Sequence, residues 1–119
     1  MSFWVLAWLR AFALTLAVEL PVAVALLAFI EPRRARRAGA AVLANLATHP
    51  LVWFAFPGLT AGPAARLASS EVWAVVGEAA IYRFIWPALP LHRAALVSLA
   101  ANTASFLVGL ALARLGLVH

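Results

Sequence analysis

The few polar residues of this chain lie inside its hydrophobic segments, and that placement limits what it can fold into more than any other feature. Glu19, Asn45, His49, Glu78, Asn102 and Ser105 all interrupt long runs of Ala, Leu, Val and Phe. A carboxylate in the middle of a bilayer costs about 2.5 to 3.5 kcal/mol on insertion scales, so several such groups require a compensating arrangement. The remainder of the sequence supplies the setting. With 66% apolar and 11% charged residues and a mean hydropathy of +1.01, the chain lacks the polar exterior of an ordinary soluble domain. A lipid bilayer is the expected surrounding.

All nine basic residues are arginine, and they gather beside the ends of hydrophobic segments. They form no basic face with interleaved aromatics, so the net charge of +5 reads as membrane topology and not as nucleic-acid binding. Cysteine is absent, which excludes disulfides, thiolate metal sites and iron-sulfur clusters. The first charge is Arg10, so the basic start of a secretory signal is missing and the N-terminal segment is expected to be retained.

Four spans follow from the pattern, since roughly 20 apolar residues cross the hydrocarbon. They are expected at about residues 11–30, 38–56, 71–86 and 94–112, making one all-α, antiparallel four-helix transmembrane domain. Trp4 and Trp8 suit interfacial turns ahead of the first span, and Pro21 suits a kink after Glu19. Residues Pro57 to Ser70, with Gly58, Gly62 and Pro63, read as a loop, while Pro87 and Pro90 break the chain before the last span. Neither a sequence repeat nor a low-complexity tract stands out. Arg33, Arg34, Arg36, Arg37, Arg83 and Arg93 mark one side of the bundle, and the positive-inside rule makes it cytoplasmic, with both termini outside. Trp4, Trp8, Trp53 and Trp73 then approach the outer interface.

At about 1.5 Å of rise per residue, Glu19, His49, Glu78 and Ser105 reach one level roughly 10 to 12 Å below that surface. Asn45 and Asn102 fall about one turn deeper. The faces agree: Glu71, Val75, Glu78 and Tyr82 share a stripe, as do Ser98, Asn102, Ser105 and Gly109, while Asn45, Thr48 and His49 share a side. Glu19, His49 and Glu78 are the expected proton- or cation-binding groups, supported by Asn45, Thr48, Tyr82, Asn102 and Ser105. Carboxylate and imidazole exchange protons near neutral pH once burial shifts them. The same three groups offer N and O ligands compatible with a divalent first-row ion. Tyr82, one turn from Glu78, is placed to donate to its carboxylate. Thr48 is placed to satisfy backbone groups disturbed by Pro50. Glu71 reads as stabilising a helix N-terminus at the outer surface.

The elements Glu19-x-Pro21, Asn45-x-x-Thr48-His49-Pro50, Glu71 with Glu78-x-x-x-Tyr82, and Ser98-x-x-x-Asn102-x-x-Ser105-x-x-x-Gly109 resemble a class of small bacterial four-helix membrane proteins. That resemblance implies the helix count and no activity. Glu19 is similar in position to the first-span glutamate of small multidrug transporters, but the charged first connection, His49 and Glu78 depart from that pattern. Asn102 to Gly109 is similar to a segment of small fluoride channels, yet it stands here in the last helix. The paired glutamates and separated histidine motifs of CAAX-type intramembrane proteases are not matched by Glu31-Pro-Arg-Arg. The expected function is binding or transport of a proton or small cation, in a homo-oligomer or larger membrane complex. The alternatives are an accessory subunit of such a complex and an intramembrane enzyme.

Overall fold

The computed structural model describes residues 2–55, 58 and 62–117. Four helices run through them: α1 Phe3–Leu26, α2 Arg34–Phe54, α3 Pro63–Ile85 and α4 Leu91–Arg114. Each packs on two neighbours in the cyclic order α1, α2, α3, α4, and α4 returns to α1. The result is a square all-α bundle of about 39 × 28 × 27 Å. The end of α1 meets the end of α3, where the Trp86 indole donates to Glu31 Oε1 at 3.3 Å, so alternate helices point the same way.

Local chemistry sets the helix ends. Ser2 caps α1 by accepting from the Val5 N–H at 3.2 Å, so the helix begins at Phe3 and carries Trp4 and Trp8 in one continuous rod through Pro21. At the start of α3, Gly62 takes φ 86°, a left-handed conformation that side chains resist, and Pro63 follows at the first helical position. Residues Pro63 to Ser70, read from sequence as loop, are therefore helical. Glu71 consequently sits well inside α3 and does not stabilise a helix N-terminus. Gly116, at φ 75°, closes α4 with the paired bonds Gly116 N–H to Ala113 O at 3.1 Å and Leu117 N–H to Leu112 O at 2.9 Å. The Phe56 end of the expected second span and most of the connection from Pro57 to Gly62 lie outside the described residues.

Among the described residues α1 and α4 are long and apolar enough to cross a membrane by length and composition. The polar and charged residues of α2 and α3, including Arg36, Arg37, Arg66, Glu71, Glu78 and Arg83, lower the hydropathy of those two helices. Leu27, Tyr82, Trp86 and Leu89, with alanines such as Ala41 and Ala44, form the buried apolar core. It fills the end of the bundle that holds the α1–α2 and α3–α4 connections. At the opposite end Trp4 packs against Trp53 with ring centroids 5.1 Å apart.

Glu31 ties the core end together. Its Oε2 accepts the Arg33 N–H at 3.1 Å, and Arg36 Nε lies 3.3 Å from Oε1, on the same carboxylate that receives the Trp86 indole. The Arg33 backbone donor, then Trp86 and the Arg36 charge, hold this carboxyl below the ordinary value of 4.5. A depressed carboxylate stabilises the fold above its unfolded value and loses that contribution as pH falls through the folded one. Glu31→Gln is expected to lower the thermal midpoint at pH 7, with the difference from wild type shrinking as pH falls through the depressed carboxyl range. Thermal unfolding followed by circular dichroism across that pH range checks it. Arg37 reaches back to the Val24 carbonyl at the end of α1 and thereby caps it.

Candidate functional site

The interior polar residues meet just beyond the apolar core. Glu19 is 2% exposed and Glu78 1%, and their neighbours Asn45, Thr48, Ser98 and Asn102 are also buried. A cavity of about 90 Å³ connects them, lined by Glu19, Asn45, Thr48, Glu78, Asn102 and Ser105. It extends toward the Trp4 and Trp53 end of the bundle, past Thr15, His49, Val52, Ser70, Glu71 and Ala74. Every helix contributes to it.

The two carboxyl groups are held in the same manner. Ser105 on α4 donates to Glu19 Oε2 at 2.6 Å, and Thr48 on α2 donates to Glu78 Oε2 at 3.3 Å. Each hydroxyl also lies against a carbonyl of its own helix, Ser105 against Asn102 O at 3.1 Å and Thr48 against Ala44 O at 3.2 Å. A hydroxyl has one proton, so it can donate to only one of its two acceptors at a time. The asparagines repeat the theme. Asn45 Nδ2 donates to Ala41 O at 2.9 Å and Asn102 Nδ2 to Ser98 O at 2.8 Å. Both asparagines also line the cavity that holds the two carboxyls. Ser98 in turn donates to Val75 O at 2.8 Å and joins α4 to α3.

One oxygen on each carboxyl, Glu19 Oε1 and Glu78 Oε1, is buried and receives no donor. The two carboxyl groups lie within hydrogen-bonding reach of each other. An unsatisfied buried acceptor costs about 1 to 3 kcal/mol, and more when charged. One proton placed between the groups supplies the missing donor and removes the repulsion between two negative charges.

The other expected site residues are placed differently. His49 lines the cavity, where its Nδ1 accepts from Trp8 Nε1 at 3.0 Å and its Nε2 lies 3.5 Å from Thr15 Oγ1. The Trp8 bond assigns the imidazole proton to Nε2 and leaves His49 beside the mouth instead of on the carboxyl pair. Tyr82 makes no hydrogen bond to Glu78 among the described residues; its ring packs in the apolar core, 6.3 Å from that of Trp86. Nor do any three His, Asp or Glu side chains among the described residues come together to hold a metal ion. Thr15, Ser70 and Glu71 join the cavity without having been singled out for it. Thr15 lies one turn before Glu19, a spacing that already placed it on the same stripe. Trp73 belongs to the interior as well, with its indole donating to Thr48 O at 3.1 Å.

No protein-family model, curated protein or solved structure matches this chain.

Proposed function

We propose that the chain is a four-span integral membrane protein of the bacterial inner membrane. In this reading it binds a proton between Glu19 and Glu78 and passes it to and from the surface through the His49 and Glu71 mouth. The observation that carries the site is the pair of buried carboxyl groups, each with one oxygen lacking a donor, on one cavity of about 90 Å³. One water needs roughly 10 to 15 Å³ of such space, so this cavity has room for several.

The bundle's polarity supports the membrane setting. Phe84 is 85% and Phe3 81% exposed, while Glu19 and Glu78 are buried. Leu43, Leu46, Val72, Val76, Leu96, Leu99 and Leu107 likewise face outward. An apolar exterior around a polar interior is the arrangement that hydrocarbon favours. The arginine-rich connections then lie in the cytoplasm by the positive-inside rule, and the cavity mouth faces outward.

The hydroxyls give the site a means of accepting and releasing charge. When Glu19 is ionised, Ser105 donates to it; when Glu19 holds a proton, the carboxyl donates to Ser105, which turns to the Asn102 carbonyl. Thr48 serves Glu78 in the same way, with the Ala44 carbonyl as its second acceptor. Neither switch requires a helix to move, whereas carrying the proton on past the apolar core to the other side requires that end of the bundle to open. The surroundings favour a proton over a divalent metal, because the Ser105 and Thr48 hydroxyls already donate to the carboxyls.

Reconstitution into vesicles carrying an internal pH-sensitive dye tests the reading. An imposed pH gradient is expected to collapse at least about tenfold faster than in protein-free vesicles, a difference of about 1.4 kcal/mol in barrier. Equal rates with and without protein would refute proton movement.

A further inference from the structure

We infer that the chain is two copies of one helical hairpin, α1–α2 and α3–α4, and that the carboxyl site is built on the axis between them from equivalent residues of each half. The inference deepens the proton-site reading and rests on it for the chemistry, while the repeat stands on observations of its own.

The chain contains two asparagines, and both lie in the same pentapeptide pattern. Ala44-Asn45-Leu46-Ala47-Thr48 is matched by Ala101-Asn102-Thr103-Ala104-Ser105, and Arg36-x-Ala38 by Arg93-x-Ala95 in the same register. The helix exits match too, Phe29-Ile30-Glu31-Pro32 with Phe84-Ile85-Trp86-Pro87. Between its glutamate and that exit the first half carries about one extra helical turn, which leaves the buried face unchanged. Burial follows the same repeat: Glu19 and Ala23 in α1 and Leu27 at its end correspond to Glu78 and Tyr82 in α3 and Trp86 at its end.

The hydrogen bonds obey the symmetry. A two-fold rotation about the bundle axis exchanges α1 with α3 and α2 with α4, as the cyclic packing order allows. It carries the Glu19 and Ser105 bond onto that of Glu78 and Thr48, and Asn45 Nδ2 to Ala41 O onto Asn102 Nδ2 to Ser98 O. Each half therefore gives the site one carboxyl, one amide and one hydroxyl, and each carboxyl keeps one unpartnered oxygen.

The symmetry fails at the mouth. His49 corresponds to Phe106 and Glu71 to Phe12, so both titratable mouth residues lack an equivalent. The carboxyl pair is thus shared equally between the halves, while each half gives the mouth one titratable side chain of its own, His49 from the first and Glu71 from the second. Around the pair, Glu71 and Tyr82 on α3 and His49 on α2 are the other titratable side chains, and α4 brings only Ser98, Asn102 and Ser105.

The sequence offers its own probe. With no glutamine and two asparagines, the side-chain amide region of a ¹H–¹⁵N spectrum contains only Asn45 and Asn102. Both NH₂ pairs of the full chain in lipid nanodiscs are expected to shift together through one pH midpoint. Glu19→Gln and Glu78→Gln are each expected to displace both pairs by amounts equal within about twofold. Titration of one pair without the other would overturn the equivalence, and the wild-type spectrum alone decides this if a variant fails to fold. Vesicle flux separates the two readings. Joint titration without proton flux leaves the repeated site standing and removes transport; unequal amide responses with flux lost in both variants do the reverse.

Discussion

Replacing Glu78 with glutamine is expected to reduce proton movement to the background of protein-free vesicles while leaving the bundle assembled. Glutamine keeps the length of the side chain, and its carbonyl oxygen can still accept from Thr48, which lies 3.3 Å from Glu78 Oε2. Its amide also brings a donor to Glu19 Oε1, an oxygen that lacks one. The fold therefore loses little, within about 1 kcal/mol, because the substitution exchanges one satisfied polar pair for another. The function loses the group that shares the proton. The pH-dye assay, beside a thermal melt of the same preparation, checks both halves of the expectation. Unchanged flux would remove Glu78 from the mechanism, and a collapsed melt would make its role structural.

Gly77→Ala is expected to have the largest effect on stability. A methyl group at that position would lie 2.8 Å from Thr48 Cγ2, closer than two carbons approach without one of them moving. Thr48 cannot turn away freely, since it is branched at Cβ and its hydroxyl lies between the Ala44 carbonyl and Glu78. Alanine gains about 1 kcal/mol over glycine in a helix, whereas overpacking a tight contact costs about 1 to 3 kcal/mol. The contact should win, lowering the thermal midpoint and drawing Thr48 from Glu78. Adding Thr48→Ser removes the methyl that clashes and keeps the hydroxyl. The double variant is expected to recover wild-type stability or exceed it by up to about 1 kcal/mol, the helix-propensity gain. Failure of the second substitution to rescue the first would show that the crowding lies elsewhere.

The helix count and the interior stripes were legible because burial in a bundle follows helical spacing. Ser98, Asn102 and Ser105 at intervals of four and three, and Asn45 with Thr48, end on inward faces. The start of α3 was hidden by turn chemistry: Gly62 and Pro63 look like loop residues, but as a left-handed residue followed by an N1 proline they open a helix. That misplacement also moved Glu71 from an expected surface position into the cavity lining. Tyr82 shares a stripe with Glu78, yet one further turn carries it into the apolar core. The bond between Glu31 and Trp86 joins two distant helix exits, and local pattern carries no record of such a pairing. The repeat escaped notice because an Ala- and Leu-rich background makes most matches uninformative. Only the asparagines and the Phe-Ile-x-Pro exits mark it, and the hydroxyl differs between the halves as Thr48 and Ser105.

The acidic residues of the chain are Glu19, Glu31, Glu71 and Glu78, so ¹³C labelling at the glutamate Cδ gives four carboxyl signals in solid-state spectra from lipid bilayers. Single glutamine substitutions assign them. Glu19 and Glu78 are expected to show a through-space cross peak to each other and to titrate in one coupled step with a single shared proton. Independent titration, with no cross peak between the two signals, would contradict a carboxyl pair at the centre of the bundle.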